Sequence, residues 1–371
     1  MTKEMFLAQL ATELSSLSEA QRQEILGYFE EYLSDLADNK EALAELGEPS
    51  LVAQELLVGL KEQEILFQVP QEMSSSSGVP AVDRISLSLL DLDIKLMTDA
   101  VEQITLKIPE SLRSVIEVTE EAQHVSLRQT EPLQERFRFH GSFGHHFFSN
   151  EEIRLILPAA NYQDIQLNSQ LGDIRVEQIF SEHLSVTAQN GDVLLKSCQL
   201  GEASLSIKNG DLDLSQTSGN QLDVLLQNGD LAIDTGQFDQ ISVEAKNGDV
   251  SLKTSQLKNI LATLTNGDLA CETVRLERLI AKGQRGDFEL HQVDFSKEIV
   301  VETQAGDVEM TLTTNDKDDI YLDVETAFGE YKVDTLEGRV TGSNGCLELG
   351  DSASLRQIRA KSMFGDVEIR R

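Results

Sequence analysis

A glycine returns every nineteen residues through the middle of this chain, at 172, 191, 210, 229, 248, 267 and 286. Five of these glycines follow an asparagine: Asn190–Gly191, Asn209–Gly210, Asn228–Gly229, Asn247–Gly248 and Asn266–Gly267. Each glycine is followed by an acid: Asp173, Asp192, Asp211, Asp230, Asp249, Asp268 and Asp287, with Asp307 next after a step of 20. A period held this strictly marks a repeat architecture, in which one small unit recurs and stacks on its neighbours.

The phase of the repeat shows what the unit is. With each Asp as position 1, position 2 reads Ile174, Val193, Leu212, Leu231, Val250, Leu269 and Phe288. Position 4 is apolar as well, for example Val176, Leu195, Leu214 and Ile233. Positions 12, 14 and 16 form a second apolar set, such as Leu222, Val224 and Leu226. The positions between are mostly polar. Period-two alternation of this kind is a strand with one face inward. Each rung therefore reads as two short strands joined by a turn at Asn-Gly, a pair that tolerates the positive φ of a tight reversal.

One such strand pair cannot bury its own apolar face. Stacking the rungs in parallel, like position over like position, gives a continuous core and pairs every backbone edge. The expected fold class is α+β multidomain, with a small N-terminal helical bundle and a large single-coil parallel β-solenoid. A Greek-key sandwich would not require the same residue at the same phase over seven turns. The turn glycine continues at 306, 329, 345 and 365 in steps of 20, 23, 16 and 20. The 23 and 16 read as a bulge compensated by a trim, so eleven rungs at about 4.8 Å each would build a rod of about 50 Å. The closing FGDVEIRR stops mid-rung with no obvious cap helix, so either end-to-end pairing into a homodimer or capping by another segment is expected. The first would make a structural or adhesive solenoid that self-assembles through its ends the alternative function.

Ahead of the rungs the pattern is helical. Phe6, Leu7, Leu10, Leu14 and Leu17 share one face, and Ser18 with Gln21 suits a capping box for a second helix. Pro49 opens a third, read through LVAQELLVGLKEQEIL. Residues 1–68 are thus a helical domain, 69–80 a Ser-, Gly- and Pro-containing linker, 81–152 an irregular β entry region, and 153–371 the regular solenoid. Residues 1–80 hold fifteen acidic and four basic side chains, a local net of −11.

The net charge of the whole chain is −33. Such a surface repels nucleic-acid phosphate and attracts cations, basic peptides and basic proteins. No basic-then-apolar leader and no run of about 20 apolar residues is present, so a cytoplasmic location is expected, with the cell surface as the alternative. Cys198, Cys271 and Cys346 are odd in number and far apart, as reduced thiols would be. Cys271 falls at inward position 4 and reads as a small apolar residue.

The aspartate column has two readings. Stacked carboxylates repel, so each Asp must either accept turn N–H groups or bind a cation or basic ligand. The scaffold reading is preferred, and no dedicated metal site or cofactor is expected. His140, His145 and His146 in FHGSFGHH have a metal-compatible spacing, yet no cysteine or acidic-His motif accompanies them, and they read as a loop. No nucleophile elbow, phosphate loop or zinc-protease motif occurs, so an enzyme is not expected.

Two stretches resemble known bacterial families. The opening FLAQL, YFEEYLSD and LGEPSLVAQELL resemble the HAAS-type helical signalling domain. The recurrent NGD-hydrophobic-x-hydrophobic turns, with IRLILP leading into them, resemble the candidate-adhesin β-solenoid family. The combination is similar to the LiaX-type proteins of Gram-positive bacteria. That resemblance implies a non-enzymatic regulatory role in cell-envelope stress, with sensing of cationic antimicrobial peptides and control of a two-component system. It also implies association with the envelope or a membrane protein.

Overall fold

The structure is a computed structural model that describes residues 2–17, 19–35, 46–59, 62–66, 82–109, 112–121, 123–133, 152–313, 320–335 and 338–370. The linker 69–80 and the three histidines of FHGSFGHH lie outside these residues.

Among the described residues of the N-terminal part three α-helices stand: α1 (Lys3–Glu13), α2 (Glu19–Asp35) and α3 (Pro49–Gly59). Thr2 caps α1, its hydroxyl accepting from the Met5 N–H. Phe6, Leu10, Phe29 and Leu33 are fully buried together with Val52 and Leu56, and the Phe6 and Phe29 rings lie 5.9 Å apart. The helix expected over 51–66 stops at Gly59. Residues Glu62–Leu66 instead form a strand, β1, in the β domain. The Glu62-Gln63-Glu64 stretch has no apolar member to extend the helical stripe, and pairing with a sheet edge wins. Among the described residues no helix is long and apolar enough to cross a membrane.

The strands among the described residues form one sheet of 26 wound into a solenoid. Through its middle, an eleven-residue strand and a four-residue strand alternate, as in Gln199–Asn209 and Leu212–Ser215. Each pairs in parallel with its equivalent nineteen residues on: Asn190 with Asn209, Asn209 with Asn228, Asn228 with Asn247. Inward positions 2, 4, 12, 14 and 16 form one continuous core that includes Leu212, Leu214, Leu222, Val224 and Leu226.

The rung has a third inward side that the two-strand reading missed. In Phe180–Asn190 the alternation breaks where Glu182 and His183 both face outward. That break bends the strand and turns positions 7 and 9 into the core. Ile179, Cys198, Val274 and Val293 fill position 7, and Leu200, Phe238, Leu257 and Phe295 fill position 9. A second corner precedes them at position 6. Gln178, Ser197, Gln216, Thr235, Thr254, Thr273 and Gln292 all have φ between 47° and 58°. Thr in this region is uncommon because its branched Cβ crowds the backbone. The stack over-determines it: the position-6 N–H donates to the position-5 carbonyl of the next rung, as from Thr254 to Glu272 at 3.0 Å.

Both ends of the solenoid depart from sequential stacking. At the start, β2 (Arg84–Leu89) and β3 (Asp93–Asp99) form a regular rung of the stack rather than an irregular entry. On one side they pair in parallel with Asn161–Leu171 and Ile174–Glu177. On the other they pair in parallel with the strands His124–Gln129 and Glu152–Pro158. Antiparallel strands close this end: Ile116–Glu121, Thr105–Pro109 and Glu62–Leu66.

At the far end, the strands Arg356–Phe364 and Val367–Arg370 do not follow the others in space. They insert between the rung ending at Leu312 and the strand Ile320–Thr335. The glycines therefore stack in the order 306, 365, 329, and the reading of the 23 and 16 steps as a compensated bulge is wrong. Of the two expectations for the closing rung, capping by another segment is the one found, since the strands Arg356–Phe364 and Val367–Arg370 are covered on both sides. The outermost layer is the strand Gly338–Leu349, antiparallel to Ile320–Thr335. It bends at Asn344, whose φ is 53°.

The turn glycines are stacked backbone on backbone. A Cβ placed on Gly229 would sit 1.9 Å from the Gly210 carbonyl oxygen, and φ there is +138°. Gly338 has a similar φ of +132° but no heavy atom within 4 Å of that point. Gly229→Ala is expected to cost more than about 3 kcal/mol, above the ordinary range for single substitutions. Gly338→Ala bears only the conformational part and costs about 1–2 kcal/mol. Urea unfolding of the two variants separates close approach from φ strain.

Candidate functional site

The most regular chemical feature of the surface is the turn edge, where positions 18, 19 and 1 line up along the rod. Its geometry follows from the backbone. At each turn the glycine N–H donates to the position-18 carbonyl of the next rung, as Gly210 does to Asn228 at 3.0 Å. The position-2 N–H donates to the next Asp carbonyl, as Leu212 does to Asp230 at 2.8 Å. The N–H of the Asp itself points the other way, toward the preceding rung. There it meets the Oδ1 of the preceding aspartate.

This bond repeats without a gap. Asp192, Asp211, Asp230, Asp249, Asp268 and Asp287 each donate their N–H to the preceding Asp Oδ1 at 2.8–2.9 Å. Asp307 continues to Asp287 at 2.7 Å. Two members were not legible as such in the sequence. Asp93 accepts from Asp173 at the start of the column, and Asp366 donates to Asp307 near its end. Beyond Asp366, the Glu330 N–H donates to its Oδ1 at 2.7 Å. The carboxylate thus bridges rungs instead of closing an Asx turn within its own.

Magnitudes decide whether this can hold. Neighbouring carboxylates about 4.8 Å apart repel by roughly 1 kcal/mol in a water-like dielectric. A hydrogen bond to a charged acceptor contributes about 1.5–3 kcal/mol. The bond wins, and Asp192 to Asp307 remain exposed, where water screens the repulsion. Asp93 is more enclosed, and burial pushes its carboxyl above the ordinary range, partly offset by the N–H that it accepts from Asp173. Burial likewise raises Asp213, next to Asp211 and Asp192.

The asparagine column runs beside it. Each Nδ2 donates to the preceding Asn Oδ1 at 2.8–2.9 Å, from Asn209 to Asn190 through to Asn266 on Asn247. Arg285, which interrupts the Asn pattern in the sequence, closes the ladder by donating to Asn266 Oδ1 at 3.1 Å. Phe364 and Phe328 occupy the equivalent place in the last two inner layers, their rings stacked 5.1 Å apart.

The remaining candidates are scattered. Cys198 and Cys271 are buried and Cys346 is exposed on the outermost strand. Burial pushes the Cys198 thiol up to about 11 and the Cys271 thiol up to about 12. Among the described residues no three His, Cys, Asp or Glu side chains converge as a metal-binding group.

With this geometry in hand, comparison with known proteins assigns the family. The Toastrack DUF4097 family model matches residues 82–270 and 237–370, and the chain belongs to that family of β-solenoid proteins. The HAAS model matches residues 6–55. The solved structures that match the chain are remote in sequence. A candidate adhesin from Parabacteroides merdae is 10% identical over 84% of this chain and 96% of its own, with a TM-score of 0.41. A candidate lipid-binding protein from Parabacteroides distasonis is 8% identical over 84% of this chain and 98% of its own, with a TM-score of 0.40. A candidate adhesin from Bacteroides fragilis is 11% identical over the same shares, with a TM-score of 0.37. Among curated proteins none matches the chain.

Two predictions follow from the edge and the thiols. Asp230→Asn keeps the acceptor for Asp249 and removes one stacked charge, so its melting temperature stays within a degree or two of the parent or rises. Asp230→Ala orphans that N–H and costs about 1–2 kcal/mol. A cation-dependent column would instead lose stability on Asp230→Asn and on chelation, which calorimetric melting would reveal. In thiol titration, Cys346 alone reacts promptly in the folded protein, and Cys198 and Cys271 react only after denaturation.

Proposed function

We propose that this chain is a non-enzymatic binding and regulatory protein of the bacterial cell-envelope stress response. Its acidic solenoid would be the surface that receives a cationic peptide or a basic protein segment. The observation that carries this reading is the unbroken, solvent-facing carboxylate column of the turn edge, set in a chain of net charge −33. A line of like charges at a spacing of about 4.8 Å concentrates cationic partners along its length. The HAAS match at residues 6–55 supports a signalling role for the helical part, with the solenoid as the receiving element and a two-component system downstream.

A cationic amphipathic peptide titrated into the full chain by calorimetry tests the binding step. Binding is expected at 0.01 M salt, where the Debye length is about 30 Å, and should weaken by about tenfold or more at 0.15 M, where it is about 8 Å. The triple replacement Asp211→Asn, Asp230→Asn and Asp249→Asn keeps the rung-to-rung bonds and removes three charges, so it should weaken binding further. No binding at low salt overturns the reading.

A further inference from the structure

The solenoid's two ends are finished differently. At the start, the outer strand of the long side is Ile116–Glu121, which carries exposed Glu117, Glu120 and Glu121. Charged residues on an edge strand deter a second chain from pairing there. The opposite end is the strand Gly338–Leu349. Among the described residues its only partner is Ile320–Thr335, so its outer edge of N–H and C=O groups is unshared. Residues 340–347 of this edge, VTGSNGCL, contain no charged side chain and no proline.

Two further observations fall at the same end. Phe328 and Phe364 stack on each other yet are 65% and 56% exposed, and Met363 beside them is 49% exposed. Asn344 at the bend of the outer strand accepts from the N–H of Gly329, so this apolar group borders the open edge. The charge balance also changes. Residues 330–371 hold seven basic and seven acidic side chains, whereas the chain as a whole carries −33. Two copies repel each other along most of their surface and do not repel here.

We propose that this end is an interface for a second copy of the chain, joined cap to cap about a two-fold axis. The two Gly338–Leu349 edges pair antiparallel, and the Phe328–Phe364 groups of both copies contribute apolar area at the margin. A two-fold contact uses the same patch twice and closes. Head-to-tail stacking would set the glutamate-bearing edge against the next copy and continue into a fibre, which the charges on Ile116–Glu121 oppose. The inference stands independently of peptide binding.

Sedimentation equilibrium and small-angle scattering of the full chain test it. The expected result is a concentration-dependent dimer whose maximum dimension is close to twice that of the monomer. Thr341 and Ser343 are exposed on the outer strand. The double variant Thr341→Lys, Ser343→Lys is expected to remain a monomer at all concentrations with an unchanged melting curve. Phe364→Ser should weaken association by about tenfold, as loss of an apolar anchor does at an interface. A parent chain that stays monomeric at every concentration overturns the proposal. So does a dimer no longer than the monomer, or one that survives the two lysines.

Discussion

The backbone contact between successive turn glycines governs the rest of this fold. Gly229 approaches the Gly210 carbonyl so closely that a Cβ would lie 1.9 Å from its oxygen. That approach lets the turn, and not only the strands, hydrogen-bond from rung to rung. It also fixes which groups are left over. With the position-19 and position-2 N–H groups committed to the next rung, the position-1 N–H faces backward with no carbonyl to receive it. An aspartate at the same position in the preceding rung supplies the acceptor at 2.7–2.9 Å. The acid is thus a consequence of the glycine stack, and the ladder of asparagines beside it satisfies the amides of the same edge.

Much of this was legible from the period alone. A nineteen-residue step with apolar residues at positions 2, 4, 12, 14 and 16 already implies stacked rungs, because identical phase is useful only if like residues lie over like. The third side was hidden. Position 7 runs Ile179, Cys198, Thr217, Gly236, Ser255 and Val274, a mixture that carries no hydrophobic signal although all six are buried. Thr217 and Ser255 fit there by bonding nearby carbonyls, Ser255 to Lys253 at 2.6 Å. The corner at position 6 was hidden for a similar reason. Gln, Ser and Thr give no hint of positive φ, and the stack imposes it. Asp93 escaped notice because Leu92, not glycine, precedes it at the edge of the column, where the close approach is made by the Leu92 carbonyl.

The ends could not be read from spacing, because spacing counts residues and not layers. A solenoid built strictly in order would leave its first and last rungs covered on one side only. Here the rung Arg84–Asp99 lies inside the strands His124–Gln129 and Glu152–Pro158, and the rung Arg356–Arg370 lies inside Ile320–Thr335. To fray, either inner rung must first shed an outer layer paired along its length. Val367 and Ile369 are fully buried as a result, although they lie near the end of the sequence. The antiparallel strands outside these layers interrupt the parallel template, so the parallel stack does not continue head to tail into another molecule.

The same arrangement separates two properties that a repeat usually mixes. The central rungs carry a uniform field, since each adds one exposed carboxylate at the same place, and a uniform field attracts cations without distinguishing them. Discrimination requires features that break the repeat, and these collect at the ends. The asparagine ladder stops at Arg285, and the edge then passes through Ala305 to Phe364 and Phe328. The carboxylates continue alongside through Asp307 and Asp366. Among the described residues of this edge, exposed aromatic rings stand where the regular rungs give way to the capping layers. The apolar contact at that place is what the proposed second copy would use, and it does not draw on the charge of the edge.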